Sequence, residues 1–198
     1  MLSACIVSRD SWQIRKKVHR YFPPPADSRG LDGATGLSWR VHILPFLGKS
    51  ELFQQFKMDE PWDSPANKKL LPKMPDIYNR FSSQLMMPAD APKGMTTMVA
   101  PNSDRTILGA PGRVGFGNII DGSSNTVLLV VVKEPLAVPW TAPQDYKFDP
   151  DKPAAGLQFE NGKTPVVLCD AFTCFADREN QWLYLFEMND EEVVQIKN

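Results

Sequence analysis

The run with the greatest capacity for chemistry is Met58-Asp59-Glu60-Pro61-Trp62-Asp63-Ser64-Pro65, in which three carboxylates flank a tryptophan held between two prolines. Paired carboxylates can divide general acid and base work, and an aromatic face between them can serve as a platform for a sugar. A quieter use of the same residues is favoured. Asp63 and Ser64 stand before an apolar run and suit a helix cap, Trp62 suits the core, and Asp59 and Glu60 suit solvent.

The remaining chemical material is thin. The two histidines, His19 and His42, are too few for a multi-histidine metal site and leave little for a hydrolase triad. Cys5, Cys169 and Cys174 have neither CxxC nor cysteine–histidine spacing for zinc. Asp121-Gly122-Ser123-Ser124-Asn125-Thr126 reads as a polar turn with Gly122 free to take positive φ, and the GK[ST] continuation of a phosphate loop is missing. Gly112-Arg113-Val114-Gly115-Phe116-Gly117 lacks the flanking strand and helix of a dinucleotide site. Asp149-Pro150-Asp151 offers oxygens to calcium without EF-hand spacing. Asp170-Ala171 reads as a hairpin turn. A two-residue turn would face Cys169 with Phe172, a four-residue loop would set the sulfurs of Cys169 and Cys174 opposite each other, and two free, core-facing thiols are favoured. No nucleophile, base and orienting group assemble from these residues, so the chain reads as non-enzymatic, with no catalytic, cofactor or metal site.

The elements that must position these residues are short. The 198 residues are 42% apolar and 23% charged, which excludes a mostly disordered chain and a coiled coil, and 18 prolines with 12 glycines interrupt them often. The 22 basic and 23 acidic side chains nearly cancel, so no global field attracts nucleic acid or an anionic membrane. The longest apolar run, residues 127–132, falls far below the roughly 18 to 20 residues of a membrane span. Leu2-Ser3-Ala4-Cys5 resembles the end of a lipoprotein signal, but an untethered tail at 1–9 is preferred.

A helix is expected from residue 10 or 11 to 22, ended by Pro23-Pro24-Pro25, with a loop over 28–33. Residues 37–47 fit both strand and helix periods and are read as a helix capped by Ser38 and broken at Pro45. Ser50 and Ser64-Pro65 start two more, over 51–57 and 66–71. Strands follow at 77–81, 95–100, 127–132, 166–169 and 172–175. Asn180 then caps a helix bearing Trp182, Leu183, Leu185 and Phe186, ahead of a charged segment from Asp190. Helices first and antiparallel strands afterwards mean an α+β fold, taken as one domain over 10–198.

Several runs in this order resemble a bacterial family best known from planctomycetes, the prepilin-like domain of unknown function 1559. They are Tyr21-Phe22-Pro23-Pro24, Leu37-Ser38-Trp39-Arg40-Val41 with Leu44-Pro45-Phe46-Leu47, and Phe56-Lys57-Met58 continuing through Asp59-Glu60-Pro61-Trp62-Asp63 to Asn67-Lys68-Lys69-Leu70. Lys73-Met74-Pro75, the turn containing Asp121, Gly122 and Asn125, and Val138-Pro139-Trp140-Thr141 complete the set. The family's late signature of His, nine residues and Asp-Gly stands here as Glu160, nine residues and Asp170-Ala171.

The resemblance implies a pseudopilin-like α+β head, normally preceded by a leader and an apolar helix that are not found before Trp12 here. It also implies protein partners in an envelope or secretion assembly and a place at the cell envelope or outside the cytoplasm. A chain whose true start is Met1 would instead be cytoplasmic. The alternative function is an extracytoplasmic module that binds a small ligand, carbohydrate or calcium, with Trp39, Trp62, Trp140 and loop carboxylates around a pocket. A hydrolase using Asp59, Glu60 or Asp63 ranks third.

Overall fold

The computed structural model describes residues 21–23, 36–79 and 93–188, so the expected N-terminal tail, the helix up to residue 20, the loop at 28–33 and the segment from Asp190 lie outside the described residues. The expected end of that helix is instead extended, with Tyr21 bridged antiparallel to Gly115 and Phe22 N–H donating to Val114 O at 2.7 Å. Local chemistry sets the first elements. The Ser38 hydroxyl accepts from Arg40 N–H at 3.2 Å and opens α1 (Trp39–His42), after which Pro45 tightens the chain into a 3-10 turn, Leu44–Leu47.

In α2 (Ser50–Phe53) Ser50 lies inside the helix, not at its cap. The cap position falls to Lys49, whose side chain makes no capping bond, because Gly48 at φ 69° has just closed the preceding turn. Ser64 behaves as expected: its hydroxyl accepts from Asn67 N–H at 3.2 Å, and Pro65 occupies the first position of α3 (Pro65–Lys68). The strand expected over 77–81 is replaced, as far as Tyr78, by a 3-10 turn (Asp76–Tyr78) in which Tyr78 N–H donates to Pro75 O at 3.0 Å.

Six strands follow among the described residues: β1 (Met95–Thr96), β2 (Met98–Val99), β3 (Val127–Val131), β4 (Val138–Pro139), β5 (Lys163–Leu168) and β6 (Thr173–Asp177). β1 and β4 form a two-stranded sheet, and the others form a four-stranded antiparallel sheet in the order β2-β3-β5-β6. Pro165 within β5 has no N–H for β3. The β3–β5 ladder accordingly ends at the Val130–Val166 pair, and Val131 O accepts from Gln158 N–H at 2.9 Å.

The four-stranded sheet separates two cores. Leu129 and Val167 point into a cluster with Trp39, Tyr78 and Trp140, whereas Val130 and Val166 point the other way, toward Tyr146, Leu157 and the last helix, α4 (Trp182–Phe186). Asn180 does not cap α4. Its amide donates to Asp177 O at 2.9 Å, and Gln181 holds the cap position without a side-chain bond. Short helices with antiparallel sheets make the fold α+β.

Candidate functional site

The sequence motifs resolve into three places. The first is a buried ion pair between Arg40, whose side chain is 0% exposed, and Asp145, with Nη2 and Oδ1 2.8 Å apart. Arg40 Nε and Nη2 also donate to Met98 O at 3.1 and 2.7 Å, and Nη1 donates to the Ser38 hydroxyl at 2.8 Å. The Asp145 carboxylate accepts in addition from Trp39 Nε1 at 3.1 Å and Ala100 N–H at 2.8 Å. A buried charge is tolerated when its donors and acceptors are filled in this way. The knot ties α1, the end of β2 and the 144–146 segment together.

Aromatic rings close over it. Tyr78 donates its hydroxyl to Arg40 O at 2.7 Å and meets the Trp39 ring edge-on at 6.4 Å. Burial pushes the Tyr78 phenol far above the ordinary tyrosine range, against the opposing pull of the Arg40 charge. Trp140, fully buried, stacks on Tyr78 at 5.9 Å, meets Phe56 edge-on at 5.7 Å and donates Nε1–H to Leu71 O at 3.0 Å. Trp39 and Trp140 are therefore packing residues, which removes the tryptophan-lined pocket on which the ligand-binding alternative was built.

The second place is the carboxylate run. Asp59, Pro61 and Asp63 are exposed, Glu60 is half-buried, and Trp62 is half-buried against the first core. What holds this segment is Asn67, which the motif reading included in a run but gave no role. Asn67, fully buried, donates Nδ2–H to the carbonyls of Lys57, Glu60 and Pro61 at 3.0, 3.1 and 3.0 Å, and its Oδ1 accepts from Lys57 N–H at 2.9 Å. The capping role expected of Asp63 and Ser64 falls to Ser64 alone. An apolar stripe interrupted by an asparagine just inside a helix start is the signal that could have marked Asn67.

The third place joins two distant motifs. Gly122 takes φ 94°, its carbonyl accepts from Asn125 N–H at 2.9 Å, and Asn125 Nδ2 donates to Asp121 O at 2.9 Å, while the Asp121 side chain is buried. Asp170 N–H donates to Ser123 O at 3.0 Å and Cys169 N–H to Thr126 O at 3.0 Å, so this turn is stitched to the β5–β6 hairpin. The Asp170 carboxylate accepts from Phe172 N–H at 2.8 Å.

That hairpin has neither a two-residue nor a four-residue loop. Leu168 N–H donates to Phe172 O at 2.8 Å, leaving Cys169, Asp170 and Ala171 as a three-residue loop with Ala171 at φ 70°, the left-handed position this loop type requires. Cys169 is buried in the first core and Cys174 packs against the second, so the two free thiols do not share a face. Burial first, and then the Asp170 charge, raises both thiol pKa values, that of Cys169 well above the usual range. Glu160 and Asp170 sit beyond opposite ends of β5, about 20 Å of strand apart, and share no site.

A surface cleft of about 640 Å³ lies elsewhere, lined by Lys49, Glu51, Gln55 and Asp76 among others, and of the motif runs it takes in only Lys73-Met74-Pro75. Among the described residues no three His, Cys, Asp or Glu side chains gather as a metal-binding group, and no helix is long and apolar enough to cross a membrane.

Residues 16–193 match the model of a family described as protein of unknown function (DUF1559). The chain belongs to the DUF1559 family. No curated protein and no solved structure matches it. The DUF1559 resemblance drawn from the sequence motifs thus holds over nearly the whole chain. Of the motif side chains, Trp39, Arg40 and Trp140 work inside the fold, and the 58–65 and 121–126 motifs are held chiefly through their backbones.

Proposed function

We propose that this chain is a non-enzymatic, pseudopilin-like head domain that works by protein contacts in an envelope or secretion assembly. The observation that carries the reading is the Arg40–Asp145 knot: the fully buried motif charge, Arg40, is filled by Asp145, Met98 O and the Ser38 hydroxyl. A charge committed in this way supports building a surface, not turning over a substrate. Family membership supports the same reading through the pilin-like architecture that the DUF1559 resemblance implies.

Intact-mass and N-terminal peptide analysis of the native protein from fractionated cells tests it. An envelope-fraction protein that carries an apolar segment of about 20 residues ahead of Met1 is the expected result. A protein beginning at Met1 in the soluble fraction would overturn the envelope assignment.

A further inference from the structure

The four-stranded sheet stops at β6, and the outer side of that strand is built to continue it. Leu168 N–H donates to Phe172 O, and Arg178 N–H to Gly162 O, so even-numbered residues bond to β5 and Thr173, Phe175 and Asp177 turn their N–H and C=O groups outward. Among the described residues no strand pairs with that side. The usual guards of an edge are missing. No proline, glycine or bulge interrupts β6, and its one charge, Asp177, is partly offset by Lys163 Nζ at 3.8 Å. Phe172 and Phe175 stand 52% and 43% exposed beside the open backbone.

We propose that β6 pairs antiparallel with β6 of a second copy of this chain, about a two-fold axis at Phe175, joining two four-stranded sheets into one. Outward-facing residues must meet outward-facing residues, which an axis at any residue of β6 allows. An axis at Cys174 would set Asp177 against Ala171, and one at Ala176 would need the Asp177 carbonyl, which Asn180 already occupies. An axis at Asp177 would oppose two carboxylates. An axis at Thr173 would set Phe175 against Ala171, whose φ of 70° departs from a strand. The axis at Phe175 instead opposes Phe175 to itself and Thr173 to Asp177, giving an aromatic pair with no like charges facing, while Arg178 stays over its own Phe159 ring at 4.2 Å.

Asp177 O already accepts from Asn180 N–H at 3.2 Å and from its side-chain amide at 2.9 Å, which closes the new ladder there. The bonds left open are the reciprocal pair at Phe175 and, twice, Asp177 N–H to Thr173 O of the other copy. An interface of one strand edge is smaller than a standard one, so the dimer is a concentration-dependent one with a dissociation constant of about micromolar or weaker.

This inference rests on the reading of the chain as an interaction domain and names the partner as a second copy. Its test is disulfide trapping in a background with Cys5, Cys169 and Cys174 replaced by alanine, each protein first shown to be folded by circular dichroism. Thr173→Cys and Asp177→Cys proteins, oxidised mildly when mixed, are expected to give about tenfold more covalent dimer than either alone. Phe175→Lys or Phe175→Pro in both proteins should abolish it, the proline removing the central outward donor without touching the β5 ladder.

Equal trapping in single-variant samples would overturn the register. Sedimentation of the native chain as a monomer at every concentration up to about 1 mM, or a dimer indifferent to Phe175→Lys, would overturn the self-pairing. Those failures leave the interaction-domain reading standing, because that reading is decided by the native protein's location and mass.

Discussion

In the 37–41 segment, Trp39 and Arg40 are buried and their side-chain nitrogens find partners inside the fold; in the 58–65 segment, Asp59 and Asp63 are exposed and the main chain is what is held. One motif spends its side chains, the other is held by a side chain from outside it, Asn67. The difference teaches that a run of carboxylates around a tryptophan can mark a shape and need not mark a reaction. Both segments present backbone and surface in a fixed form.

The comparison breaks most easily at the knot. Asp145→Ala leaves the Arg40 guanidinium buried without its counter-charge and is expected to cost about 3–5 kcal/mol in urea unfolding. Asn67→Ala strands the Lys57 N–H and three carbonyls in part-buried positions, with an expected loss of about 1–3 kcal/mol by the same measurement.

Alkaline titration reads the cores. Cys169, Cys174, Tyr78 and Tyr146 all hold their protons more tightly folded than unfolded, chiefly through burial. Their contribution to stability is therefore complete below the unfolded values, 9.0 for the thiols and 10.0 for the phenols, and is lost as pH rises through the raised folded ones. Unfolding followed by fluorescence from pH 8 to 11 should show stability falling, first with the thiols. Ala171→Gly relieves a left-handed alanine and should add about 1 kcal/mol, seen as a rise in Tm. Glu60→Gln sharpens the contrast from the other side: a change within about 0.5 kcal/mol is expected, since the carbonyl and not the carboxylate of Glu60 is held by Asn67.

Much of the local structure was legible. Ser38 and Ser64-Pro65 announced their helices, and residues 127–132, 166–169 and 172–175 are strands within a residue or a few at each end. The run 95–100 is not one strand but two, broken at Thr97 into β1 and β2 of different sheets. What escaped was long-range or atypical. Nothing near Gln144-Asp145-Tyr146 distinguishes Asp145 as the partner of an arginine 105 residues earlier; only the need of a charge within Leu37-Ser38-Trp39-Arg40-Val41 for a counter-charge pointed to a carboxylate somewhere. The hairpin loop was misread because alanine fills the position where glycine normally signals a left-handed turn. The 77–81 run has strand-like composition, but Pro75 and the burial of Tyr78 against Trp140 bend it into a 3-10 turn.

The central claim is that the motif around Trp39 and Arg40 is scaffold. Its most direct test is a double-mutant cycle of Arg40→Met and Asp145→Leu in equilibrium unfolding. The account predicts that each single change costs about 3–5 kcal/mol and that the double variant, which leaves no buried charge unpaired, recovers most of that loss. Single variants as stable as the native chain would contradict it.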